Sequence, residues 1–238
     1  MKTTMRKMLS VLLLLGLLLS VLPAAFAEQP RKNAVCELYS EDGYYVDDVG
    51  NRETYSYHLP QINADTPAAL EINTEIAEEF GSLIETQYHN MEGGYSLWSW
   101  HTEWEAYWNG SQLFILITAD ENGDIILYGA YGYDFETGNR VTNEMILEQK
   151  GISKEEYLER LTEKVKQVFE KVCPQIPEGV KTELTRDKLL EETLSWLDPE
   201  QPMFINQYGE IETFVKITTI AGAGWHNYLV TPFSSEEN

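Results

Sequence analysis

Between Ser96 and Trp108 the sequence reads Ser-Leu-Trp-Ser-Trp-His-Thr-Glu-Trp-Glu-Ala-Tyr-Trp, which gathers two carboxylates, a histidine and four tryptophans in one alternating run. Successive side chains of a strand point to opposite faces. Trp98, Trp100, Trp104 and Trp108 therefore share a face with Thr102 and Ala106, and Ser99, His101, Glu103, Glu105 and Tyr107 share the other. Two carboxylates are the equipment of glycoside hydrolysis, but that chemistry also needs a raised pKa and a cleft. The sequence signals neither, so no catalytic residue is assigned and no enzyme is expected. His101 and Glu103 are potential metal ligands. The other histidines, His58, His89 and His226, stand at no metal-ligand spacing, and there is no HExxH. No metal or cofactor is expected. A polar face without Lys or Arg suits contact with a basic partner, through His101, Glu103, Glu105 and Tyr107. The Trp face is expected to pack on a helix; left open, Trp98, Trp100, Trp104 and Trp108 would form a stacking platform for a glycan.

Other chemistry-bearing patterns resolve into turns or fragments. Asp120-Glu121-Asn122-Gly123-Asp124 is too short for a twelve-residue calcium loop and contains the Asn-Gly pair of a hairpin. Ala221-Gly222-Ala223-Gly224 lacks the following helix of a dinucleotide site, and no GxSxG or P-loop occurs.

The charge is strongly one-sided: 17 Lys and Arg face 39 Asp and Glu among 238 residues, a formal net charge of −22. This excludes a general nucleic-acid binder, which needs clustered cations, and argues against docking on anionic membranes. From Glu53 to Asn139 there is no Lys or Arg, while fifteen acids occur. Residues 28–148 carry a net −19 and residues 149–238 only −6. So concentrated a field repels itself, raises solubility and steers cationic partners.

Residues 1–27 read as a secretory signal: Lys2, Arg6 and Lys7, then the apolar run Val11–Leu22, then Ala25-Phe26-Ala27 as a cleavage site. The run is short for a bilayer span, which needs roughly 20 residues. A secreted chain without membrane insertion is expected. Cys36 and Cys173 would remain in it, and an oxidising compartment leaves open either a bridge between them or two buried thiols.

The elements that must position these residues follow from periodicity. Residues 28–43 are expected as a poorly ordered lead-in. Tyr44–Val49 and Thr54–Leu59 are short strands around Gly50-Asn51. Thr66 and Pro67 open a helix whose apolar stripe is Ala69, Ile72, Ile76, Phe80, Leu83 and Ile84, closed by Gly93-Gly94. Leu97–Trp108, Leu113–Thr118 and Ile125–Phe135 form an antiparallel meander turned at Asn109-Gly110, a type I′ signal, and at Asn122-Gly123. Its central strand is apolar on both faces and needs cover on each. Ser153 and Glu156 make a capping box for a helix lined by Tyr157, Leu158, Leu161, Val165, Val168, Phe169 and Val172 and stopped by Pro174. A shorter helix buries Leu189, Leu190, Thr193 and Leu197, Gly209 turns the chain between Met203-Phe204-Ile205 and a strand at 211–220, and a last strand is expected near 228–231. The expected class is α+β, an antiparallel sheet with packed helices in two lobes, 44–119 and 120–233.

Two segments carry a family resemblance. Tyr55–Ile62 with the helix around Asn73-Thr74-Glu75-Ile76, and Tyr133-Asp134-Phe135-Glu136-Thr137-Gly138-Asn139, resemble the RsiV-type extracytoplasmic domain. That domain is found in the outer, lysozyme-sensing part of a bacterial anti-sigma factor and ahead of the catalytic part of a peptidoglycan deacetylase. The likeness covers roughly 45–232. Asn139 departs from it, standing where the turn usually has Lys, and neither a sigma-binding segment nor a deacetylase domain is recognised. The resemblance implies an α+β recognition module at the cell wall and supplies no catalytic residue. The expected function is a secreted, non-enzymatic envelope-binding domain taking a basic, lysozyme-like protein on its acidic lobe. The alternatives are a peptidoglycan-binding module using the Trp strand and an accessory domain of cell-wall hydrolysis or deacetylation.

Overall fold

The run Leu113–Ile117 demands cover on both sides, and the computed structural model supplies it. The structure describes residues 33–47, 49–93, 99–173, 185–220 and 224–234. The run lies in β4 (Gln112–Glu121), inside a six-stranded sheet ordered β1 (Val35–Val46), β2 (Arg52–Ile62), β3 (Trp100–Asn109), β4, β5 (Asp124–Asp134) and β6 (Asn139–Val141). Leu113, Ile115, Ile117 and Ala119 enter one core, and Phe114 and Leu116 enter another.

The first core is closed by α1 (Pro67–Glu92). Thr66 caps it, its hydroxyl accepting from the Ala69 amide, and Pro67 fits the first turn, where no amide donor is needed. Its buried stripe is Ala69, Ile72, Ile76, Phe80 and Ile84, with Leu83 partly buried, as the helical spacing predicts. Each of the buried Ile and Phe side chains contributes roughly 1.5–3 kcal/mol on burial. Asn73 docks the end of β2 to this helix, donating to the Ile62 carbonyl and accepting from its amide. Because α1 crosses over the sheet, β2 and β3 run parallel, over Tyr55–Tyr57 against Trp100–Thr102; the other neighbours are antiparallel.

The second core holds α2 (Asn143–Lys150), α3 (Lys154–Val172), α4 (Arg186–Ser195) and a small antiparallel sheet of β7 (Met203–Ile205), β8 (Ile211–Thr218) and β9 (Trp225–Val230). Ser153 caps α3 by accepting from the Glu156 amide, and Tyr157, Leu161, Val165 and Phe169 are its buried face. Thr193 of α4 is fully buried and accepts from the Thr218 amide. The fold is α+β.

Several expectations change. Residues 35–43 are not a lead-in but most of β1, paired to β2 along its length; their polar composition disguises an edge strand. The boundary at 119/120 falls inside the β4–β5 hairpin, so the two cores divide across the faces of a shared sheet. Strand β6 and helix α2 are additions. At Asn122-Gly123 both φ angles are positive, 54° and 88°, as a type I′ turn requires. At the other hairpin Asn109 stays paired to Gln112, and only Gly110 has positive φ, the pattern of type II′ instead of I′. Cys36 is exposed on β1 whereas Cys173 is buried in the second core, and no disulfide joins them. Pro174 and residues 1–27 lie outside the described residues. Among the described residues no helix is long and apolar enough to cross a membrane.

Candidate functional site

The second layer lies against β4, β5 and the Tyr107 end of β3. On β1, β2 and the rest of β3 the corresponding outer face carries half-buried and exposed polar side chains. Pairing fixes which residues meet there: Ser40 lies opposite His58, Asp42 opposite Ser56, Ser56 beside His101, His101 opposite Asp120, and Glu103 opposite Thr118. The predicted set His101, Glu103, Glu105 and Tyr107 does share this face.

Each member is held by a neighbour. The Ser56 hydroxyl donates to Glu103 Oε1 at 2.6 Å. His101 Nδ1 sits 3.3 Å from Asp120 Oδ1, so its partner is Asp120 and not Glu103. His58 bridges Glu37 and Asp42, with ring nitrogens 3.2 Å from a carboxylate oxygen of each. Partial burial pushes the His58 pKa down, but the Asp42 and Glu37 carboxylates, helped by the field of Glu103, carry it above the ordinary histidine value. Tyr107 donates to Glu105 and stacks on Phe204 with ring centroids 5.4 Å apart. Burial and that carboxylate push its phenol well above the usual tyrosine range, so it remains a donor. Arg52 is the guanidinium of this face; it stands at one end of β2, 3.7 Å over the Tyr44 ring.

Beside Glu103 and Glu105 a groove of about 360 Å³ runs between β3–β4 and β9. Leu116, Ile125 and Phe214 line it with Tyr228 and Leu229, and Leu229 is 45% exposed. His226 and Asn227 fix its far wall: His226 Nδ1 lies 3.1 Å from Asp124, and Asn227 donates to the Ile125 carbonyl at 2.9 Å. The arrangement offers anionic acceptors around an apolar strip, which suits Lys or Arg side chains with their aliphatic stems. Among the described residues no three His, Cys, Asp or Glu side chains converge as a metal site.

The tryptophan platform does not form as an open surface. Trp100 is 8% exposed, and Trp104 and Trp108 are partly buried in the α1 core, Trp108 against Phe135. Trp98 lies outside the described residues. The physical reason is register: the Trp face is also the face of Ile115 and Ile117, which α1 covers. The Asp120–Asp124 segment is the hairpin turn, with Asp120 Oδ1 accepting from the Gly123 amide. Residues 221–223 of the Ala-Gly run are outside the described residues.

Sequence reasoning missed Glu37, Asp42, Ser56, His58 and Asp120 as parts of the face. The alternation Thr54-Tyr55-Ser56-Tyr57-His58 was a usable signal for β2, since its polar and aromatic residues separate cleanly. It also missed Trp196, Lys216 and Trp225, which come together from a helix end and two strands.

The motif Tyr133–Asn139 is architectural in this fold. Tyr133 is buried with its hydroxyl 3.0 Å from that of Thr66, Asp134 accepts from the Glu136 amide, and Gly138 turns the chain at φ 72°. It ties the β5–β6 turn to the start of α1. No protein-family model matches the chain, and no curated protein matches it.

Proposed function

We propose that this chain is a secreted bacterial-envelope binding domain whose acidic sheet face, centred on Glu103 and Glu105, docks a cationic protein of lysozyme type. The observation that carries the reading is the clustering of Glu37, Asp42, Glu103, Glu105 and Asp120 on one solvent-facing side of the sheet. Much of the domain's positive charge is engaged elsewhere: Arg140 grips Glu75 of α1 through two hydrogen bonds, Lys154 pairs with Glu200, and Arg186 with Glu170. A partner bearing Lys and Arg relieves the repulsion within the face and is steered to it from a distance. Tyr107 and Leu229 supply the aromatic and aliphatic surface at which binding energy concentrates. Glu103 and Glu105 accept hydrogen bonds from Ser56 and Tyr107, which hold the two carboxylates in place on the face. The signal-like N-terminus and the RsiV-type motifs favour the same reading.

The test is calorimetry of residues 28–238 with a basic lysozyme between about 0.05 and about 0.5 M salt. Affinity should fall steeply with salt, and the double variant Glu103→Lys/Glu105→Lys should weaken it by about tenfold or more. No binding, or binding indifferent to both salt and charge reversal, overturns the reading.

A further inference from the structure

A second constellation lies farther along the same face of the small sheet, where Lys216, Asn227 and Trp225 follow the Phe214 and Leu229 of the groove. Lys216 of β8 places its ammonium 4.1 Å from the Trp196 ring centroid and 4.2 Å from that of Trp225. Pairing accounts for the meeting: Lys216 lies opposite Asn227 and Thr218 opposite Trp225, so Lys216, Asn227 and Trp225 share one face of β8–β9. Trp196 arrives from the end of α4 and is still 49% exposed. Together with Tyr128 and Gln201 these residues border a cavity of about 270 Å³ against β5. That is near the lower end of ligand pockets, which run from about 300 Å³, so it has room for one ring and not for a chain.

The unusual member is the lysine. In a chain where acids outnumber cations 39 to 17, Arg140, Lys154, Arg160 and Arg186 each have a carboxylate within 4 Å. Lys216 has none among the described residues; its neighbours are the two indoles. Ring faces attract the charge, yet they leave the ammonium's N–H donors without a strong acceptor. Asn227 spends its amide on the Ile125 carbonyl, and its carbonyl oxygen is left to accept. The walls are thus two aromatic faces, with a cation between them and an acceptor beside them.

We propose that this cavity is a subsite for a carboxylated pyranose. The apolar C–H face of the sugar stacks on an indole, the carboxylate takes the Lys216 ammonium as a charge-assisted partner, and a hydroxyl donates to Asn227 Oδ1. This ligand is opposite in charge to the cationic partner of the acidic face, and the two sites adjoin at Phe214 and Asn227, which border both cavities.

Residues 28–238 would be titrated with a tetrasaccharide of alternating glucuronic acid and N-acetylglucosamine, and with chitotetraose as the neutral comparison, reading tryptophan emission and heat. The acidic sugar should shift the emission and bind about tenfold more tightly than the neutral one. Lys216→Gln should abolish that preference, and Trp196→Ala, at an exposed position, should lose binding of both sugars while the far-UV spectrum and melting temperature stay near those of the parent. No heat and no emission change with either sugar overturns the proposal, as does equal affinity for both. A Lys216→Gln variant that melts earlier yet keeps the preference shows the cluster to be a structural clasp only, and also overturns it.

Discussion

The two faces of the large sheet are built from the same strands and do opposite things. On the side of α1, Tyr57, Leu59, Ile115, Ile117 and Tyr131 are removed from water together with Ile72, Ile76 and Phe80. On the other side the same β2 and β3 present Ser56, His58, His101, Glu103 and Glu105. Along β2 and β3 burial is concentrated on the first face and charge on the second, whereas β4 and β5 bury the second core on that other face. Alternation lets both be optimised in one strand, since a residue that serves one face is invisible to the other.

This contrast can be broken first where it is strongest. Phe80→Ala removes a fully buried ring from α1 and should cost about 3–5 kcal/mol in urea unfolding; a loss below about 1 kcal/mol would mean that the α1 core is not what holds the sheet. Gly132→Ala probes the opposite error, crowding, because the new methyl would sit 2.8 Å from Val141 Cβ and 2.9 Å from the Val141 carbonyl oxygen. A penalty of about 1–3 kcal/mol is expected, and an unchanged melting temperature would show that β6 yields freely.

The outer face should respond to pH and charge more than to volume. His58 has a folded pKa raised above the ordinary histidine value of about 6.5. Its ion pairs with Asp42 and Glu37 therefore stabilise fully below that value and are lost as pH rises through the folded pKa. Stability measured from pH 6 to pH 8, about the span in which histidine titrates, should decline, and the decline should shrink in His58→Asn; an identical slope in both proteins counts against the pairing. Smallest of all, Glu103→Lys/Glu105→Lys should move stability by no more than about 0.5 kcal/mol in either direction, in contrast to the large effect proposed for it on a basic ligand. A destabilisation comparable to that of Phe80→Ala would erase the division of labour.

How much of this could be read from the chain follows the same division. The α1 stripe, the β3–β5 meander and the Ser153 cap were legible because apolar period and turn residues are local signals. Strand β1 was not, since Glu37, Ser40, Glu41 and Asp42 look like a solvated lead-in until β2 is seen to pair with them. The parallel seam between β2 and β3 was hidden because it is made by a crossover and not by a turn. For the site, alternation correctly grouped His101, Glu103, Glu105 and Tyr107, and equally correctly grouped Trp100, Trp104 and Trp108. What alternation does not contain is which group a helix will cover. The Trp196–Lys216–Trp225 cluster was illegible for a simpler reason: Lys216 and Trp225 meet through the β8–β9 register, and Trp196 joins them only from the end of α4.

The seam itself bears on when the proposed docking surface forms. The acidic surface is stitched from two pieces that each fold locally, the β1–β2 hairpin and the β3–β5 meander, with Tyr55–Tyr57 and Trp100–Thr102 as the stitching. Local hairpins close early, whereas a join that spans the whole of α1 pays its loop entropy late. Slow-exchanging amides should therefore centre on β4, while those of the seam should exchange through a smaller, sub-global opening. A nascent or heat-stressed chain would hold much of its secondary structure before the proposed docking surface was complete, so a partner that engaged both pieces would also act as the clamp that keeps them together.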